Sequence, residues 1–165
     1  MYVLDATPLI YLAKAESLDV LDGFEVVTTE GVYDEVVVRG KENEAPDARR
    51  IEKYEIEVRE APKNETYERL SETDRLSEVD AEVLAFADSE DAIAVMDEKR
   101  GRTVAEVEGI DVRGTAFLLL RSVKNGRKTP EEAEEILDDM IDSGWYCSTS
   151  FYSKILDKLD ELDEQ

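Results

Sequence analysis

Short apolar runs alternate along this chain with stretches that repeat at helical spacing. Tyr2-Val3-Leu4 is an apolar run that ends at Asp5. Behind Pro8, a residue suited to a first helical turn, Leu9, Ile10, Leu12 and Ala13 share one helix face. Residues 25–28 read as a second strand, and a helix over 29–39 should be stopped by Gly40. Residues 48–53 read as helix, 56–59 as strand and 66–72 as a turn of helix. Ser77, three residues before Asp80, is a helix start resembling a capping box, with Val79, Val83, Leu84 and Ala87 facing a core. The run over 92–96 (Ala-Ile-Ala-Val-Met) is apolar throughout, as in a strand buried on both faces, and Asp97 ends it. A helix from Lys99, a short strand at 111–112 and helices over 116–123 and 130–141 follow. Residues 145–151 read as a strand or extended segment, and Ile155, Leu156, Leu159 and Leu162 mark a terminal amphipathic helix. Alternation of this kind predicts an α/β fold whose central sheet is mostly parallel and flanked by helices. The stretch from Gly40 to Pro46 is a loop inside that unit, so residues 1–165 are expected to form a single domain.

Composition changes the picture in two ways. The chain has 165 residues, 42 Asp and Glu against 20 Lys and Arg, and a net charge of −22. A 42% hydrophobic content still supports a core, so this is no acidic tail. The acid excess matches a surface adapted to a very salty cytoplasm, where a Debye length of about 3 Å at 1 M salt screens self-repulsion. No apolar run reaches membrane-spanning length and the start lacks a secretory signal pattern, which predicts a soluble cytoplasmic protein with no membrane partner. Secondly, there is no His and only one Cys, Cys147. That removes the commonest general base and rules out an internal disulfide or a zinc site. Any metal must be a hard one bound through oxygen: Mg²⁺, Mn²⁺ or Ca²⁺.

Ligands of open α/β sheets lie beyond the carboxyl ends of the strands. Two apolar strands end in a carboxylate, at Asp5 and at Asp97. If these strands are parallel in one sheet, the two acids emerge together, which is costly unless a cation neutralises them. Either acid could instead simply start a helix. Glu35 lies on a helix that is apolar around most of its circumference, and Asp80 opens a helix rich in Ala. Residues 99–128 hold eight basic residues against three acidic ones, a local charge of +5 in a strongly negative chain. Arg100, Arg102 and Arg121 are the candidates there for contacts to phosphate groups.

The run Asp5-Ala6-Thr7-Pro8-Leu9-Ile10, then Glu35, then Ser77-x-x-Asp80-Ala81-Glu82, then Val95-Met96-Asp97-Glu98-Lys99-x-Gly101-Arg102, resembles the PIN domain. Gly114-Thr115-Ala116 and Gly144-Trp145-Tyr146 before the last helix resemble the short archaeal and bacterial branch similar to toxin ribonucleases of toxin–antitoxin pairs. The likeness implies a metal-dependent endoribonuclease in which Asp5, Glu35, Asp80 and Asp97 converge on one or two Mg²⁺ or Mn²⁺ ions. Thr7, Glu82 and Glu98 would then assist from the second rank. RNA would be the substrate, an antitoxin protein a partner, and a homodimer the assembly. A catalytically weak or inactive PIN-like module that binds RNA or protein is the alternative, because Asp97-Glu98-Lys99 departs from the motif many members carry after the fourth acid. A phosphoacceptor reading fits less well, since it wants paired acids directly after the first strand and Asp5 is followed by Ala6-Thr7-Pro8.

Overall fold

The computed structural model describes residues 1–164. Five strands, β1 (Tyr2–Leu4), β2 (Val26–Thr29), β3 (Glu57–Arg59), β4 (Ile93–Val95) and β5 (Val112–Arg113), form one sheet in the order β3-β2-β1-β4-β5. All four pairings are parallel, and Leu4 is in register with Thr28 on one side and Val95 on the other. The central strands are apolar because both their faces are covered: Val3, Leu4, Val27, Ala94 and Val95 are all fully buried. The edge strand β3 (Glu-Val-Arg) is exposed, and its charged ends discourage pairing with another chain. Thr28, a fully buried polar residue, satisfies its hydroxyl by donating to the Leu4 carbonyl at 2.7 Å.

The strand order carries the functional consequence. The chain builds outward from β1 through β2 to β3, then returns to the other side of β1 to lay down β4 and β5. Connections leaving in opposite directions part between β1 and β4, which is where open α/β sheets form a crevice. Right-handed crossovers then put α1 (Ala6–Lys14) and α6 (Glu78–Ser89) on opposite faces. Ala81, Ala85 and Ala87 let α6 lie close over β1, β2 and β4. The core is closed by Leu9, Leu12, Leu84, Leu118, Leu137 and Met140, all fully buried. They come from α1, α6, α8 (Thr115–Lys124) and α9 (Pro130–Asp142).

Two expectations need correction. Gly40 does not stop a helix. From β2 the chain runs as α2 (Glu30–Tyr33), a π-helical segment (Asp34–Arg39) and α3 (Gly40–Glu42), with Gly40 itself helical at φ −59°. Its missing side chain serves packing instead: a Cβ there would stand 2.8 Å from the Ala48 Cβ of α4 (Pro46–Tyr54). Residues 145–151 contain no strand either. Trp145 is buried in an irregular connection, and Ser148 caps α10 (Thr149–Asp163) by accepting from the Phe151 N–H at 3.2 Å. The remaining helices are α5 (Glu65–Ser71) and α7 (Lys99–Glu108).

With a charge of −22 on so small a body, self-repulsion opposes folding and salt should relieve it. Raising KCl from 0.1 to 1 M shortens the Debye length from about 10 to 3 Å. Calorimetry is expected to show Tm rising by about 5 °C or more across that range. An unchanged or falling Tm would mean that repulsion does not limit stability.

Candidate functional site

Asp5 is the residue that follows the central strand. Its N–H donates to the Val95 carbonyl at 3.0 Å, so it extends the β1–β4 ladder by one position before α1 begins. The residue is 6% exposed and its side chain makes no capping bond to α1. Burial holds its carboxyl well above the ordinary value of 3.8, and the charge of Asp80 pushes it further. The Ala6 N–H works against that rise, while a hydrogen bond with Asp80 and the charge of Glu35 add to it.

Asp80 is delivered by a helix start. Ser77 caps α6 by accepting from the Asp80 N–H at 3.1 Å, which places the acid in the first turn facing β1 and Asp5. Glu35 comes from the π-helical segment, a wider turn that is often found at functional sites, and its side chain is exposed. Among the described residues none of Asp5, Glu35, Asp80 or Asp97 forms an ion pair with a basic side chain.

Asp97 emerges on the same edge, as expected from β1 and β4 being parallel neighbours. Its carboxylate, however, is engaged elsewhere. One oxygen accepts from the Thr115 N–H at 2.8 Å; the other accepts from the Thr115 hydroxyl at 2.7 Å and the Trp145 Nε1–H at 3.1 Å. The residue before α8 is Gly114, which has no side chain to cap it, so Asp97 supplies the acceptor from across the sheet edge. Gly114 leaves room there: a Cβ would meet an Arg102 nitrogen at 2.8 Å and the Asp97 Oδ1 at 3.0 Å, so both side chains would have to give way.

The sequence candidates therefore separate. Asp5 and Asp80 touch, Glu35 is within electrostatic reach of Asp5, and Asp97 belongs to the neighbouring Thr115–Trp145 arrangement. Thr7 is half-buried in the first turn of α1, with no side-chain hydrogen bond among the described residues. Glu82 points to the other side of α6, where it pairs with Lys63 at 2.7 Å and lies over Gly31 in a hollow of about 510 Å³. Glu98 is exposed at the start of α7 and makes no capping bond. Arg102 is half-buried beside Asp97, and Arg100 is exposed on the same helix. Arg121 is not brought to the acids. It lies six residues into α8, about 9 Å along the axis from Thr115, and its guanidinium is 5.9 Å from the Phe117 ring centroid.

A family model, DUF3368, described as a PIN domain, matches residues 1–161. The chain belongs to the PIN domain family. No curated protein and no solved structure matches it significantly. PIN domains are generally nucleases and typically use divalent metal ions, so the fit of a metal to these residues matters. Among the described residues, no group of three or more Asp, Glu or Cys side chains is gathered into an ion cage. The Asp5–Asp80 pair does suit a hard cation: both donors are oxygens, one is buried, and neither has a cationic partner. Mg²⁺ needs only one or two carboxylates because it retains several waters. Thr115 and Trp145 were not assigned roles by sequence reasoning; their only signal was the family-like Gly114-Thr115-Ala116 and Gly144-Trp145-Tyr146 runs.

The Asp5–Asp80 contact makes a stability prediction. Since the folded chain holds the Asp5 proton more tightly than the unfolded chain, the linked stabilisation is complete below 3.8 and is lost as pH rises through the elevated folded value. At neutral pH in EDTA, Asp5→Asn should therefore raise Tm by about 2–4 °C, and flatten the pH dependence. Millimolar Mn²⁺ should raise the wild-type Tm and leave that of the variant unchanged. A variant less stable than wild type in EDTA would contradict this electrostatic account.

Proposed function

We propose that this PIN domain is an Mg²⁺- or Mn²⁺-dependent endoribonuclease that hydrolyses RNA phosphodiester bonds. The observation that supports the reading is the buried Asp5 carboxyl in contact with Asp80, without a basic partner, at the switch point of the sheet. Asp5 and Asp80 would hold the cation, with Glu35 able to approach from its π-helical turn. When bound, the ion would supply an acidified water and neutralise charge on the attacked phosphate. The chain's own part is positional. The Val95 carbonyl fixes the Asp5 backbone, Ser77 fixes the start of α6, and Thr115 with Trp145 fixes Asp97. Arg102, next to Asp97, would bind a phosphate oxygen of the strand.

The finer reading follows the family likeness: the toxin of a toxin–antitoxin pair, restrained by a small antitoxin, dimeric, and working in the salty cytoplasm of a halophilic archaeon. The charge of −22 supports the saline setting. No helix is long and apolar enough to cross a membrane among the described residues. A second reading has its own support. Asp97 already accepts three hydrogen bonds and no three-acid cage is present among the described residues, which favours a PIN-like module that binds RNA or protein without cutting.

Incubation with single-stranded RNA decides between them. Cleavage is expected with Mg²⁺ or Mn²⁺, is abolished by EDTA, and falls roughly 100-fold or more in Asp5→Asn. Robust cleavage in EDTA, or by Asp5→Asn, would sink the metal mechanism. Retarded mobility of the RNA with no cleavage in either metal would favour the binding module.

A further inference from the structure

Two of the exposed large apolar side chains are aromatic, Tyr146 at 87% and Phe151 at 42% exposure. Both line one pocket of about 230 Å³, together with Arg102, Trp145 and the Asp97 carboxylate. Exposed aromatics in a pocket are a surface left without a partner inside the fold. The guanidinium beside them is unusual in a second way. Three basic side chains in the described residues are not fully exposed: Arg50, Arg102 and Lys128. Arg50 pairs with Glu16 at 3.4 Å and Lys128 with Asp19 at 2.7 Å. Arg102 has neither an ion pair nor a side-chain hydrogen bond among the described residues, in a chain with two acids for every base. Its donors are held half-buried with an acceptor still to come.

We infer that this pocket is the subsite for one unstacked nucleotide of a single-stranded RNA, with the base on the rings of Tyr146 and Phe151 and a phosphate oxygen on Arg102. The inference rests on the nuclease reading for its choice of RNA, and it adds the residues that would hold one base and its phosphate. A paired strand keeps its bases stacked inside the helix, out of reach of an aromatic platform. A single strand offers a base face to Tyr146 at little cost, and stacking of this kind tolerates any base. The charge pattern agrees: Arg100 and Arg102 open the +5 stretch of a chain that otherwise repels polyanions. The pocket is lined by Asp97, which follows β4 on the same sheet edge that Asp5 follows from β1. Tyr146 and Phe151 thus act as specificity-determining residues, and Arg102 as a positioning residue for the strand.

Trp145 is the single Trp of the chain and lines the pocket, which gives a direct optical readout. The full chain in EDTA is titrated with a single-stranded RNA of about 12 nucleotides and with a blunt duplex of the same sequence. Quenching of Trp145 is expected with the single strand and not with the duplex. Tyr146→Ala should weaken binding about tenfold, Phe151→Ala should weaken it less, and Tyr146→Phe, which keeps the ring, should stay within about twofold. Arg102→Ala should lower the slope of log K against log salt by about 1, a change Tyr146→Ala should not produce. Equal binding of the duplex, or wild-type affinity in both aromatic Ala variants, would overturn the subsite. So would a Tyr146→Ala effect confined to the dimer–monomer balance in light scattering. A parallel Mg²⁺ arm separates the two proposals. Binding that depends on Tyr146 without cleavage removes the nuclease and keeps the subsite. Cleavage and binding unaltered by Tyr146→Ala remove the subsite and keep the nuclease.

Discussion

A carboxylate buried at the end of the central strand sets the terms for the rest of this molecule. Two unit charges about 4 Å apart repel by roughly 4 kcal/mol at the effective dielectric of a protein edge, a large share of the 5–15 kcal/mol that a domain has in hand. Burial and the charge of Asp80 both oppose ionisation of Asp5, so its carboxylate calls for a counter-charge. Among the described residues neither has a guanidinium or ammonium partner, so the remaining solutions are a proton on Asp5 or a bound cation. The parallel sheet makes the arrangement unavoidable. Asp5 is held by the β1–β4 ladder, and the Asp80 backbone by the capping Ser77, so neither backbone can easily withdraw.

Asp97 shows how the same edge can use a carboxylate structurally. Its three accepted bonds tie the loop after β4 to the start of α8 through Thr115 and to the connection before α10 through Trp145. Gly114 allows the close approach, and the same tie sets the floor of the pocket that Arg102, Tyr146 and Phe151 surround. Catalytic positioning and strand binding would therefore share one anchor. A change at Thr115 or Trp145 should disturb both.

Much of this was legible in the sequence, and the failures have physical causes. The apolar runs ending in Asp5 and Asp97 were sufficient to place two parallel strands and their acids on one edge, because period and burial are strong signals for central strands. Gly40 misled because glycine marks a helix end and a close packing contact alike; only the partner, Ala48, distinguishes them. The aromatic run at 145–151 has strand-like composition, yet Trp145 is held by a bond to a residue 48 positions away that no local pattern encodes. The role of Thr115 was hidden for the same reason: it is a contact between elements, not a motif within one.

The central claim is that Asp5 and Asp80 form a cation site. A wild-type crystal soaked in millimolar Mn²⁺ tests it most directly, with anomalous scattering locating the metal. The account predicts a peak between the Asp5 and Asp80 carboxylates that disappears in Asp5→Asn. A wild-type crystal in which the two acids stay hydrogen-bonded to each other with no metal between them, or in which Mn²⁺ binds elsewhere, would contradict it.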